Sequence, residues 1–141
     1  MQRISFTAHG HENVIGNHQT TLEITKETHL SRKGTCIIAV GADLALSEMS
    51  SEIRGLAISP ATRIVLRMSA GGHTETVRGR GSGGLTYMDS ISMVVRKSSY
   101  ECGRTLMVLA DKAASDLNRA FVRALSDSSM ELECEITYIT G

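Results

Sequence analysis

GHENVIGNHQTTLEITK, residues 10–26, is the stretch that decides the fold, because residues 81–97, GSGGLTYMDSISMVVRK, follow the same pattern. Both stretches open on a glycine, continue through a polar turn and end on a short apolar alternation closed by a lysine. The offset between them stays at 71 residues over seventeen positions. The aligned pairs are Gly10 with Gly81, Val14 with Leu85, Leu22 with Met93, Ile24 with Val95 and Lys26 with Lys97.

The similarity continues downstream with small gaps. Gly34 corresponds to Gly103, and the Ala-Asp pair that ends at Asp43 corresponds to the pair that ends at Asp111. These anchors occur in the same order, which favours an internal repeat over chance similarity. We therefore predict a duplicated strand-strand-helix unit about a pseudo-twofold axis. Its copies are residues 10–58 and 81–126, with a hairpin over residues 63–78 between them.

Alternation of apolar and polar residues predicts the strands. A Gly-Gly pair, Gly71-Gly72, separates two such runs and is typical of a β-hairpin turn. The continuous apolar run at residues 35–40 suits a central, buried strand. The predicted strands cover residues 3–9, 20–26, 35–40, 63–68, 74–78, 91–96, 105–109 and 131–139.

Two helices are predicted, one behind Asp43 and one behind Asp111. In the first, apolar residues recur at spacings of three and four, as on the buried face of a helix. Each aspartate stands where an N-cap belongs, with its carboxylate able to accept a bond from a free backbone N–H group. As a symmetry-related pair, the two carboxylates are also candidates for acid–base work or cation binding.

These elements predict a mainly β protein with two helices (α+β), in one domain over residues 1–141. Half-buried, alternating strands are typical of antiparallel sheet. We therefore expect an antiparallel sandwich or a partly open barrel, built from the duplicated unit, with the helices over open ends or one face.

Composition excludes several classes of protein. The 15 basic and 15 acidic residues cancel, so the chain as a whole has no attraction to nucleic acid or anionic membrane. No apolar run approaches the roughly 20 residues of a membrane span, and the N-terminus lacks the pattern of a signal peptide. Three cysteines without a Cys-x-x-Cys motif argue against a disulfide scaffold. We expect a cytoplasmic protein.

Histidine forms the first chemical cluster. His9 and His11 flank Gly10 on an extended segment, an arrangement that often provides two metal ligands, and His18 could supply a third. These residues predict a pocket for a divalent metal such as zinc, or for an anion, at the His-Gly-His turn. The alternative is that the three rings bond local backbone in turns.

The segment RGRGSGG, residues 78–84, forms the second cluster. Its glycines leave backbone N–H groups accessible, and its two guanidinium groups suit phosphate. We predict an anion site formed by Arg78, Arg80, Ser82 and Lys97. A small-molecule anion or nucleic acid could bind there, although no aromatic residues are interleaved for base stacking. The alternative is a flexible hairpin loop with solvated ends.

Two blocks of sequence carry a family resemblance. The first combines AHGHENV, residues 8–14, with TTLEIT, residues 20–25. The second combines RKS, residues 96–98, with RTLMVLADKAASDL, residues 104–117. Together they resemble a small, mostly archaeal family known as domain of unknown function 371. The resemblance covers nearly the whole chain and implies an intracellular protein of archaeal type with no assigned activity. One departure is Asp89, where relatives often have histidine.

The sequence therefore leaves three classes of function open. The first is a metal- or anion-binding domain at the His-Gly-His turn, whose status as an enzyme the sequence does not decide. The second is an accessory protein of nucleic acid or ribonucleoprotein that binds through the Arg-Gly segment. The third is a structural protein that forms a homo-oligomer through the faces of the repeat.

Overall fold

The computed structural model describes residues 1–140 and confirms the predicted class, a mainly β protein with two helices arranged as a sandwich. Each α-helix follows a single turn of 3-10 helix, at Leu46–Glu48 and at Ala114–Asp116. The α-helices are α1 (Ser51–Ala57) and α2 (Arg119–Ala124). The strands are β1 (Gln2–His9), β2 (Thr21–Thr25), β3 (Ile37–Ala39), β4 (Arg63–Ala70), β5 (His73–Arg80), β6 (Ser92–Arg96), β7 (Thr105–Met107) and β8 (Glu131–Ile139).

The strands form two four-stranded sheets. The first sheet has the order β1-β8-β4-β5, and all its neighbours are antiparallel. The second sheet has the order β3-β2-β6-β7; its central pair is antiparallel and its two outer pairs are parallel. The apolar run at residues 35–40 was expected to form a central strand, but β3 lies at an edge. Ile38 and Ala39 of this strand are buried all the same, and Ile37 is half-buried.

Isolated bridges connect the two sheets at both edges. His9 at the end of β1 pairs with Val40 just after β3, and Arg80 at the end of β5 pairs with Val108 just after β7. Each bridge carries two backbone hydrogen bonds of 2.8–3.0 Å. Since these contacts are single bridges rather than ladders, the described residues form a sandwich with connected edges and not a closed barrel.

Aliphatic side chains from the facing sides of the sheets fill the core. Leu22, Ile38, Leu66 and Ile136 are fully buried there, as is Phe121 of α2. Burying one such side chain stabilises the fold by about 1.5–3 kcal/mol relative to leaving it in water. A core of this kind accounts for a stable fold in a chain without tryptophan.

The elements of residues 2–70 recur in the same order in residues 73–139; we call these segments the first half and the second half. Each strand and helix of the second half begins 68 or 71 residues after its counterpart in the first half. The central strand pairs are centred on equivalent residues, Glu23 opposite Val94 and Arg67 opposite Glu135. The hairpin thus contains the last strand of one half and the first strand of the other. These observations support the predicted duplication, which stays a prediction.

Asp43 and Asp111 do not cap the helices, and this prediction was wrong. Both α-helices begin eight residues later, at Ser51 and Arg119, after N-caps Ser50 and Asn118. The Asp43 carboxylate accepts a hydrogen bond of 2.9 Å from the backbone N–H of Thr7, and that of Asp111 accepts one of 2.9 Å from Arg78. Because β1 and β5 are edge strands, these N–H groups have no partner strand, and the carboxylates satisfy them.

Gly10 and Gly81, the glycines that open the two repeated stretches, lie where the backbone passes the end of a helix. A Cβ atom on Gly10 would lie within 3.0 Å of the carbonyl oxygens of Leu125 and Asp127, and one on Gly81 equally close to those of Ala57 and Ser59. The next residue in each case donates its N–H to the same helix end, to Leu125 and to Ala57. Glycine is therefore required by close approach at both positions.

Candidate functional site

The outer face of the first sheet is a polar surface, formed by the side chains that point away from the core. Alternation places buried apolar residues on one side of β1, β4, β5 and β8 and exposed or half-buried residues on the other. The charges on this outer face are divided. Arginines 63, 78 and 80 lie at one end, carboxylates 43, 131 and 133 lie at the other, and Arg67 lies opposite Glu135 between them.

Three arginines meet at the basic end and line a cavity of about 280 Å³, which we call the arginine pocket. Arg63 of β4 lies directly opposite Arg80 of β5 in the antiparallel register, and Arg78 lies two residues before Arg80 on the same face. All three are exposed. The lining residues are Arg63, Val65, Arg78, Gly79, Arg80, Leu109 and Ile139.

The positive charge of the arginine pocket is only weakly compensated. The four ion pairs within residues 1–140 include neither Arg63 nor Arg80. The Arg78 guanidinium lies 4.0 Å from the Asp111 carboxylate, and both side chains are about half exposed or more, at 65% and 47%. An exposed pair of this kind contributes about 1 kcal/mol at most. Like charges directly opposite each other destabilise a sheet, so an anion between Arg63 and Arg80 would relieve their repulsion.

Apolar side chains form the rest of the arginine pocket, and Leu109 is unusual among them. Its backbone has φ +53°, in the left-handed region, and its side chain is 58% exposed. A left-handed conformation costs a residue with a Cβ atom roughly 1–2 kcal/mol. The equivalent position in the first half is Gly41, with φ +62°, where glycine avoids that cost. A Cβ atom at Gly41 would collide with the His9 ring, so the two halves differ here in shape as well as in charge.

A larger cavity of about 450 Å³ lies at the carboxylate end of the outer face. Here charges of opposite sign face each other in the strand register, because Arg67 lies opposite Glu135, and the Asp43 carboxylate bonds the backbone N–H and hydroxyl group of Thr7. Within residues 1–140, no group of three or more His, Cys, Asp or Glu side chains is placed to hold a metal ion. The lining residues are Ser5, Phe6, Thr7, Asp43, Arg67, Ser69, Glu133, Cys134 and Glu135.

The three histidines of the predicted metal pocket each contact local backbone. His9 Nδ1 lies 3.0 Å from the carbonyl oxygen of Gly10. His11 Nδ1 accepts a hydrogen bond of 3.0 Å from the N–H of Asn13, and His18 Nδ1 accepts bonds of 3.2 Å from two successive N–H groups, of residues 20 and 21. The alternative of turn histidines accounts for these contacts, and the metal site stays a prediction.

Asp89 occupies the position equivalent to His18. Its carboxylate accepts hydrogen bonds of 2.8 Å and 2.7 Å from the N–H groups of Ile91 and Ser92, the counterparts of the groups that His18 bonds. The two halves therefore use different hydrogen-bond acceptors, an imidazole and a carboxylate, at equivalent positions. Both residues close the turn that precedes a central strand of the second sheet.

The predicted anion set is divided in the structure. Arg78 and Arg80 come together in the arginine pocket, at the end of β5 rather than in a loop. Ser82 donates its hydroxyl hydrogen to the Glu101 carboxylate, and Lys97 pairs with Asp116 at 3.0 Å, so neither lines this pocket.

The predicted anion set did not include Arg63 or Leu109. The signal for Arg63 was present, because a two-residue turn at Gly71-Gly72 pairs residue 70 with residue 73 and therefore residue 63 with residue 80. No pattern in the sequence signals the left-handed backbone of Leu109, because the chain contains no glycine or asparagine at that point.

Cys102, in the segment between β6 and β7, is a second chemically distinct group. Partial burial acts to raise its pKa, but hydrogen bonds from the Thr105 hydroxyl, the Arg104 backbone and the Arg96 guanidinium outweigh this and bring the pKa to about 7. The Arg96 Nη2 atom lies 3.4 Å from the Cys102 sulfur. Burial instead raises the pKa of Cys36 and Cys134. Cys102 is thus the most acidic of the three thiols.

Comparison with known proteins gives two matches. A family model described as Domain of unknown function (DUF371) matches residues 6–139. The chain is also 41% identical over 120 residues to an uncharacterized protein of Methanocaldococcus jannaschii, across 85% of this chain and 88% of the relative. Neither description names a ligand, a reaction or a partner. In the part of the chain that the structure describes, no helix is long and apolar enough to cross a membrane.

Proposed function

The chain belongs to this family, whose description assigns no activity, and we propose that it binds a phosphate-bearing anion in the arginine pocket. The observation that carries the proposal is the Arg63–Arg80 pair. Two guanidinium groups lie opposite each other on neighbouring strands, and no carboxylate forms an ion pair with either in residues 1–140. Such an arrangement is unfavourable without a ligand and becomes favourable with an anion between the two groups.

The charge of the pocket suits a phosphate monoester. Three guanidinium groups and the Asp111 carboxylate meet there. A phosphate monoester carries a charge of about −1.5 to −2 at pH 7, which balances the remaining positive charge. Guanidinium groups also bind phosphate oxygens in pairs, through two parallel N–H···O bonds, and this geometry favours phosphate over a spherical anion such as chloride.

Calorimetric titration with phenyl phosphate tests the proposal. We expect Arg63→Ala and Arg80→Ala each to weaken binding about tenfold or more, because a hydrogen bond to a charged group contributes about 1.5–3 kcal/mol. Arg3→Ala is the matched control, since Arg3 is an exposed arginine on the outer face at the opposite edge strand. No binding by the unmodified chain, or an equal loss in all three variants, would rule out the arginine pocket.

Nucleic acid also carries phosphate groups, so it is tested as a second ligand in the same experiment. The chain is titrated with a single-stranded RNA oligonucleotide at increasing salt. Tight RNA binding with a steep salt dependence, together with no binding of phenyl phosphate, would replace the small-molecule proposal with the nucleic-acid class. We expect the reverse, because the outer face has no exposed aromatic side chain on which bases could stack.

The predicted metal site at His9, His11 and His18 is a separate proposal with its own test. Zinc or manganese requires neutral imidazole groups, so metal binding should weaken as the pH is lowered. Titration of the chain with each metal, followed by NMR of the histidine ring signals, decides it. Unchanged ring signals at millimolar metal would exclude the site.

We also propose a cytoplasmic location and an origin by duplication. Three free cysteines, at positions 36, 102 and 134, are typical of a reducing compartment. The repeated order of strands and helices supports the duplication. A homo-oligomer formed through the faces of the repeat stays a prediction, and sedimentation over a range of protein concentrations tests it.

A further inference from the structure

Resting on the anion site proposed above, we infer that the ligand is an organic phosphate whose apolar part packs against Leu109. An inorganic anion would need only the guanidinium groups. The arginine pocket instead joins them to an apolar wall, formed by Val65, Ile139 and Leu109. Its volume of about 280 Å³ exceeds that of several water molecules, each of about 30 Å³, and leaves room beside a phosphate group.

Leu109 carries the argument because no requirement of the fold explains its side chain. The position is left-handed, so glycine would be the least strained residue there, and Gly41 occupies the equivalent position in the first half. The Leu109 side chain is 58% exposed, so it contributes little to the core. Its structural contribution comes from the backbone, whose N–H donates a hydrogen bond of 3.0 Å to the carbonyl of Ser98, as glycine also could.

The surroundings of Leu109 specify the chemistry of what it contacts. Gly41 lies beside the His9 ring in the first half, whereas Leu109 lies beside Arg80, Arg78 and Arg63 in the arginine pocket. An exposed leucine among guanidinium groups favours a ligand that offers an apolar or aromatic surface next to its negative charge. A phosphate monoester of an aromatic or aliphatic alcohol meets both conditions.

Affinities for two probes, phenyl phosphate and inorganic phosphate, test the inference in the unmodified chain and in the variants Leu109→Ala and Leu109→Gly. We expect the unmodified chain to prefer phenyl phosphate. Both variants should bind phenyl phosphate about fivefold to tenfold more weakly, because they lose apolar contact area, and should bind inorganic phosphate within about twofold of the original affinity. Met88→Ala, at an exposed methionine outside the pocket, is the control and should change neither affinity.

Leu109→Gly also separates a loss of contact from a loss of folding. Glycine suits the left-handed backbone, so this variant should melt at the same temperature as the unmodified chain or higher while it loses the preference for phenyl phosphate. Suppose that inorganic phosphate binds, but either the unmodified chain does not prefer phenyl phosphate or both variants keep that preference unchanged. The inference about Leu109 then fails, while the anion site stands. If neither probe binds, the anion site fails and the inference with it.

Discussion

At the scale of single residues, Tyr87 and Tyr138 form a polar contact between two buried aromatic side chains of the core. Both side chains are fully buried, their hydroxyl oxygens lie 2.9 Å apart, and Tyr87 also donates to the Leu106 carbonyl at 2.7 Å. Burial raises the pKa of both phenols, which keeps them neutral. In residues 1–140 no buried side-chain oxygen or nitrogen atom is left without a partner.

The two tyrosines should not be equivalent when their hydroxyl groups are removed. Tyr138→Phe leaves the Tyr87 hydroxyl bonded to Leu106, so we expect a loss of about 0.5–1.5 kcal/mol. Tyr87→Phe leaves both the Tyr138 hydroxyl and the Leu106 carbonyl with one partner fewer, so the loss should be larger, about 1–3 kcal/mol. Urea unfolding of the two variants measures the difference. A smaller loss for Tyr87→Phe would contradict the assignment of donors.

Cys102 should be the most reactive thiol of the chain. Its pKa of about 7 makes roughly half of it thiolate at pH 7. Alkylation with iodoacetamide, followed by mass spectrometry, should modify Cys102 before Cys36 and Cys134, with a rate that rises through pH 7. In Thr105→Val the hydroxyl that bonds the sulfur is lost, so the midpoint of the rate should move to higher pH. An unchanged midpoint, or earlier modification of Cys134, would refute this.

At the scale of elements, the glycines that pass the helix ends are sensitive sites. Gly10→Ala and Gly81→Ala each place a methyl group against backbone carbonyl oxygens that cannot rotate away, so we expect losses of about 1–3 kcal/mol or more. Gly55 is the matched control. It lies within α1, where a Cβ atom would meet nothing within 4 Å, so Gly55→Ala should stabilise the fold by about 0.5–1 kcal/mol. Thermal unfolding of the three variants measures all three effects.

The elements themselves were largely predictable from sequence. Alternation identified β8 to the residue, and Gly71-Gly72 identified the hairpin, because both signals are local. The starts of the helices were not predictable in this way. Aspartate is a favoured N-cap residue, so Asp43 and Asp111 were assigned as caps, whereas the observed N-caps are Ser50 and Asn118. Each aspartate instead bonds an edge strand 36 or 33 residues earlier in the chain, a contact that no local pattern encodes.

The candidate site was predictable in part for the same reason. Arg78 and Arg80 stood out because they are close in sequence, whereas Arg63 joins them only through the register of β4 and β5. Ser82 and Lys97 were plausible partners by type, but nearby carboxylates bind them. Leu109 has a left-handed backbone and directly follows Val108, which forms the bridge between the two sheets. Its place in the pocket therefore depends on a contact between the sheets, which no local pattern encodes.

At the scale of the whole molecule, the two halves match in backbone and differ in charge. The hydrogen bonds that join the sheets at His9 and Val40 recur at Arg80 and Val108. The positions equivalent to Arg63 and Arg80, however, carry Glu131 and His9. This difference gives the chain one arginine pocket rather than two. The match in backbone predicts that the chain can be circularly permuted at the hairpin without loss of the fold.

The two ends of the described chain meet in the same way as the strands of the hairpin. Gln2 lies opposite Tyr138 at the junction of β1 and β8, as His73 lies opposite Ala70 at the junction of β5 and β4. In the hairpin, Gly71 and Gly72 connect the two strands at this junction. If the halves are equivalent, a turn should serve equally well at either junction, since loop closure costs little over a few residues.

A circular permutant should therefore fold with nearly native stability. We expect this of a chain opened between Gly71 and Gly72, with residue 140 joined to Gln2 by a linker of about two glycine or serine residues. Together with residues 139 and 140, this linker gives a loop of about four residues between Tyr138 and Gln2, and hairpin loops of 2–5 residues connect antiparallel neighbours. Its urea midpoint and circular dichroism should match those of the unmodified chain. A second permutant with the same linker, opened between Met93 and Val94 in the centre of the second sheet, is the control and should be unfolded. If the first permutant is as unstable as the second, the halves are not interchangeable at their ends, and the duplication loses its principal physical support.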